Sequence, residues 1–214
     1  MAFIVGFNIC LCGCYAQREP QNRNYIMCMG IDASEKGWRV TYGFPDLAAL
    51  TGTDAQTAEP VRCIDAASIS DAARQLNAAS DKIADYSQLS VILIGESIEP
   101  GGERMTQLIR ELTGEKAVKR TVMIGRTIGK AEDIVRLDEK VNGSIGVFLY
   151  ELCQNNYEDK GCKLSVLEDF AGGRGRKDCV IPVFEEQEER PVLVRLERLQ
   201  FVALNSFLCY TKEN

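Results

Sequence analysis

Two places combine residue type and spacing in a way that points to chemistry. One is the alternating thiol run Cys10-Leu-Cys12-Gly-Cys14; the other is Gly125-Arg-Thr-Ile-Gly129-Lys130-Ala131, set between an apolar run and a helical pattern. Alternate thiols offer soft-metal ligands or a sulfur nucleophile. The glycine segment has the position of a phosphate loop. It is one residue short of GxxxxGK[ST], however, and Ala131 has no hydroxyl for magnesium, so it reads as a tight strand-to-helix turn. There is no histidine among the 214 residues. That excludes Ser-His-Asp and Cys-His nucleophile pairs and the usual zinc catalytic sites. The balance of 31 acidic against 25 basic residues, a net charge of -6 and a pI near 4.9 lack the basic footprint of a nucleic-acid binder. No catalytic constellation emerges, and neither a metal nor a cofactor is expected.

The thiol run closes Met1 to Gly13, a segment without charge that carries Phe3, Ile4, Val5, Phe7, Ile9 and Leu11 before the chain turns polar at Gln17, Arg18 and Glu19. It is shorter than the ~20 apolar residues that span a bilayer and reads as an export signal. Leu11-Cys12-Gly13-Cys14 resembles the bacterial lipobox: small residues let the peptidase reach the backbone, and the thiol accepts the lipid. This predicts cleavage between Gly13 and Cys14, lipidation of Cys14 and stable membrane anchoring through several acyl chains. A metal-binding or merely buried role for these thiols is the alternative. No Lys or Arg precedes Arg18, a departure from the usual basic start of such signals.

The six cysteines from Cys28 to Cys209 are scattered among apolar neighbours with no CxxC, and read as small core residues rather than a disulfide framework. Residues 14–24 are polar and serve as a tether. Two short apolar runs, Tyr25 to Ile31 and Trp38 to Phe44, flank Asp32-Ala-Ser-Glu-Lys-Gly37 as a β-hairpin, with Trp38 as packing. Ser68 to Asp85 repeats apolar residues at helical spacing, with Ser68 as cap and Ile83 on the apolar face. Gln88 to Gly95 is a strand buried on both faces; a helix with Met105, Leu108, Ile109 and Leu112 on one side, stopped at Gly114, and a strand from Lys119 to Gly125 follow. Strand, helix, strand predicts a parallel pair.

Helices are predicted around Lys130 to Val141 and from Ser144 to Asn155, then a short one from Lys163 to Phe170 capped by Ser165 and Glu168. Val180 to Phe184 reads as an edge strand because of Pro182. A solvated acidic turn at Glu185 to Glu189 leads to a last strand from Val192 to about Leu204. The fold class is thus α/β with mixed sheets and helices packed on them, in two small domains, 25–125 and 126–214. Loop candidates are Leu50 to Pro60 and the stretch Gly172-Gly-Arg174-Gly-Arg176-Lys177, where Arg174, Arg176 and Lys177 offer contacts to an anion or an acidic partner.

Several stretches agree in order with one family. A lipobox cysteine, a polar tether and Met29-Gly30-Ile31-Asp32; then Ser68 to Leu76 followed by Leu89 to Glu96, ending in Ile94-Gly95-Glu96; then Leu164 to Phe170, the Gly/Arg loop and Val180-Ile181-Pro182-Val183. Together they resemble the Ger(x)C family, the lipoprotein C subunits of bacterial spore germinant receptors. The resemblance implies a non-enzymatic subunit on the outer face of the spore inner membrane. It would work there with membrane-embedded A and B subunits in nutrient sensing, and a third α/β domain is expected beyond Asn214. The rival reading is a generic lipid-anchored extracytoplasmic ligand-binding protein.

Overall fold

The computed structural model describes residues 23–45, 61–137, 141, 144–157, 162–171, 176–204 and 207–212, with backbone alone at 176–177 and 200–212. Cys14, Gly13, Arg174 and the loop at Leu50 to Pro60 lie outside the described residues.

The chain opens with β1 (Arg23–Tyr25), β2 (Cys28–Ser34), β3 (Gly37–Gly43) and β4 (Val61–Ala66). Next come α1 (Ile69–Ala78), β5 (Ile83–Asp85), β6 (Val91–Ile94), α2 (Glu103–Gly114), β7 (Met123–Thr127) and α3 (Ala131–Val135). The order ends with α4 (Ile145–Asn156), α5 (Leu167–Phe170), β8 (Arg176–Gln187), β9 (Arg190–Leu204) and β10 (Phe207–Lys212). Among the described residues eight strands form one mixed sheet in the order β10-β9-β8-β7-β6-β2-β3-β4, and β1 pairs with β5 in a small parallel ribbon. β2, β6, β7 and β8 run parallel. The predicted α/β class with mixed sheets is what the chain adopts. The boundary expected between residues 125 and 126 falls within β7, which pairs with β6 on one edge and β8 on the other.

Alternation along the strands creates two cores. Met29, Ile31, Ile92, Ile94 and Ile124 face α1, α2 and α5, whose Leu76, Leu108, Leu112 and Leu167 are buried against them. Cys28, Val91, Leu93 and Met123 face α3 and α4, which bury Ile134, Val135, Ile145 and Leu149 on them. The sheet is therefore covered on both faces, which suits its near-continuous apolar central strands. Cys28, Cys153 and Cys179 are buried in these cores, in line with the sequence reading, whereas Cys63 and Cys162 are half-buried thiols.

Local capping agrees with the sequence in α1, where the Ser68 hydroxyl accepts from Asp71 N at 3.1 Å. The helix stops at Ala78, five residues before Ile83. Ile83 belongs instead to β5, paired in parallel with β1, because Arg23 bonds Asp85 at 2.5 Å and Asn24 bonds Ser80 at 2.9 Å. Asp32, Ala33 and Ser34, expected in the hairpin loop, continue β2, leaving a two-residue turn. Ser165 does not cap α5: its hydroxyl accepts from Val180 N at 2.8 Å, tying the segment to β8, and the Asp169 carboxylate accepts from Val166 N at 3.0 Å instead. Pro182 does not mark an edge. β8 lies between β7 and β9, and its parallel ladder with β7 begins only at Val183, just past the proline, so the missing N–H interrupts nothing there. The acidic turn is a two-residue hairpin in which Glu188 and Glu189 adopt φ of 51° and 59°.

Candidate functional site

The carboxyl ends of parallel strands are where α/β sheets place ligands, and here the ends of β2, β6 and β7 converge on the turn between β7 and α3. Gly129 reverses the chain with φ of 78°, a left-handed conformation that glycine adopts without strain. α3 then lies close over the sheet. A side chain on Gly30 would meet Val135 Cγ2 at 3.0 Å and Ala131 O at 3.1 Å, so β2 needs glycine beneath the helix.

Two carboxylates hold this turn. Asp32, at the end of β2 and only 4% exposed, accepts from Ala131 N at 3.0 Å through Oδ1 and from Glu132 N at 3.1 Å through Oδ2. Burial pushes its pKa upward, opposed by the two amide bonds. Glu96, just past β6, accepts from Gly129 N at 2.9 Å, while its own N–H donates to Gly129 O at 2.9 Å. The loop amides that a phosphate would need are thus already engaged by the chain's own carboxylates. These two acids are the last residues of Met29-Gly30-Ile31-Asp32 and Ile94-Gly95-Glu96. From sequence, Asp32 reads as the start of a hairpin loop and Glu96 as the residue after a buried strand, and neither acid is given a binding or catalytic role. The signal available was an acid at the end of each of two buried strands.

Glu132 is the centre of a second set. Its carboxylate takes Arg39 Nε at 2.6 Å, Arg136 at 2.8 Å and the Cys63 thiol at 3.4 Å. Burial works against its charge, but the guanidinium bonds prevail and hold its pKa down to about 2. Burial raises the pKa of the Cys63 thiol, which leaves it protonated and a poor nucleophile at neutral pH.

Above both sets opens a cleft of about 580 Å³ lined by Ser34, Lys36, Arg39, Ser97, Lys130 and Asp133, among others. Lys130 is exposed at its rim rather than folded into a phosphate cradle. No group of three or more acid or thiol side chains among the described residues is arranged to hold a metal. The arrangement can bind polar groups and fix the loop; the carboxylate beside the Cys63 thiol, Glu132, is held by two guanidinium groups and is a weak base. Of the expected contact residues, Arg176 and Lys177 open β8, with backbone partners Val202 and Phe201 on β9, away from this cleft in the sheet order.

Residues 16–186 match the family of the spore germination protein N-terminal domain, about four-fifths of the chain. The chain belongs to that family. Membership supports a C-type subunit of a spore germinant receptor, in a family not known for enzymes. No curated protein and no solved structure matches the chain. Among the described residues no helix is long and apolar enough to cross a membrane.

Proposed function

We propose that this chain is a non-enzymatic, lipid-anchored subunit of a spore germinant receptor. In this reading the leader is removed after Gly13, and acylated Cys14 holds the domain through a polar tether to the extracytoplasmic face of the spore inner membrane. There the domain acts with membrane-embedded A and B subunits when nutrient is sensed. One observation carries the reading: the family match begins at residue 16, two residues past the Cys14 that closes the lipobox-like Leu11-Cys12-Gly13-Cys14. The engaged loop amides at Gly129, Ala131 and Glu132 support it, since they suit a rigid scaffold better than phosphoryl chemistry.

The test is mass spectrometry of the protein from membranes of its host, wild type against Cys14→Ala. A diacylglyceryl-modified N-terminus at Cys14, lost with membrane retention in the variant, is expected. An unmodified chain that still begins at Met1 and stays in the cytosol overturns the proposal.

The cleft above Asp32 and Glu132 favours a second reading, an anchored binder of a small polar ligand. Under that reading Lys130→Glu abolishes the germination response without altering membrane retention or subunit assembly. Under the first reading the same substitution leaves the response intact.

A further inference from the structure

The cleft occupies one end of the sheet, and the other end has a different character. β1, β5 and the turn from Glu115 to Val122 sit at the amino ends of β2, β6 and β7. They enclose a shallow groove of about 400 Å³, with Ile83, Ala84 and Ala117 in its lining and Arg23 and Lys119 on it. Ile83 is 42% exposed, one of four large apolar side chains standing in solvent among the described residues. Lys119 is fixed against this surface by donating from Nζ to Ser87 O. Lys116 and Arg120 are exposed on the same turn.

The charge here runs against the rest of the protein. Arg23, residues 81–87 and residues 115–120 carry five cations against three carboxylates, in a chain whose net charge is -6. One of those carboxylates, Asp85, is already paired with Arg23. An exposed isoleucine beside clustered lysine and arginine is the composition of a surface that rests on anionic lipid: the apolar group enters the headgroup boundary and the cations meet phosphate.

Chain length selects the same end. Arg23 follows Cys14 at the ninth position along the chain, a length that reaches at most roughly 30 Å. Attachment at Cys14 therefore keeps the β1 end close to the bilayer, while β2, seven residues long, sets the cleft about 23 Å farther along the sheet.

We propose that the surface formed by Ile83, Lys116, Lys119 and Arg120 lies on the membrane and binds anionic lipid headgroups, orienting the domain with its cleft away from the bilayer. This rests on the lipid anchoring at Cys14 proposed above. The test keeps the two ideas separate. The full chain carrying Ile83→Trp, purified from host membranes, is reconstituted in phosphatidylcholine vesicles with or without phosphatidylglycerol, and quenching by brominated lipid is measured alongside flotation with the vesicles. Buried Trp38 serves as the internal reference for folding.

The expected result is quenching of the new tryptophan that requires phosphatidylglycerol. It should fall to about one tenth or less in Lys116→Glu/Lys119→Glu/Arg120→Glu, with flotation unchanged. Raised salt should weaken it in the chain without the charge reversals, which avoids dependence on the triple variant folding. A chain that floats without quenching keeps the anchor and overturns the surface; this is also the outcome if the surface meets the membrane-embedded subunits instead. A chain that does not float with pure phosphatidylcholine vesicles, yet floats and is quenched when phosphatidylglycerol is present, keeps the surface and removes the anchor.

Discussion

The Asp32 carboxylate occupies the space into which any side chain on Gly95 would project. β2 and β6 are neighbours, and Gly95 N donates to Ile31 O at 2.9 Å, so the carboxylate passes over Gly95 to reach the amides of Ala131 and Glu132. The acid and the glycine form one device that pins α3 to the sheet.

Gly95→Ala should displace the carboxylate and cost about 2–4 kcal/mol. Asp32→Ala should cost about 3 kcal/mol through two lost charge-assisted hydrogen bonds. Because both act through the same contact, the double variant should lose about 1–2 kcal/mol less than the sum. Urea unfolding of the four proteins measures this, and strict additivity would disprove the coupling.

Glu132 predicts an acid-sensitive stability. Its folded pKa of about 2 lies below the unfolded value of 4.5, so its contribution is complete above pH ~4.5 and is lost as pH falls toward 2. Asp32 runs the other way, since its raised folded pKa makes its share decline as pH rises through that value. At pH 7, Glu132→Gln should be less stable than wild type by about 2–3 kcal/mol, and the gap should close by pH ~2. Denaturation at a series of pH values checks it; a gap independent of pH would exclude the ion cluster as its cause.

Trp38, the single tryptophan, is 1% exposed on β3, and its Nε1 donates to Glu111 at 3.0 Å. The same Glu111 oxygen accepts from Ile69 N at 2.9 Å, at the start of α1. Glu111→Ala should cost about 2 kcal/mol and alter tryptophan emission in the native state, because a buried indole N–H loses its acceptor. Native emission unchanged from wild type would contradict that role.

The turn at Gly129-Lys130 should not bind nucleotide. Magnesium-ATP at millimolar concentration is expected to leave the Tm of wild type and Lys130→Ala equal and unshifted, since Asp32 and Glu96 already engage the loop amides. A wild-type shift of several degrees that Lys130→Ala removes would reverse this conclusion.

What the sequence determined by itself is what local physics controls. The continuous apolar run of β6 announced a strand buried on both faces, the spacing of Met105, Leu108, Ile109 and Leu112 announced one face of α2, and Ser68 announced the cap of α1. The family was also legible, from the order of stretches spread over most of the chain.

Tertiary structure decided the rest, because it depends on partners distant in sequence. Ile83 fits a helical repeat, yet β1, some sixty residues earlier, draws it into a strand. Pro182 has the local mark of an edge strand, and only the register with β7 shows how an interior strand accommodates it. Asp32 resembles a loop residue until the helix about a hundred residues later supplies the two N–H groups that its buried carboxylate accepts from. The surface around Ile83 likewise arises from Arg23, β5 and the turn at Lys119, three separated segments that only the fold brings side by side.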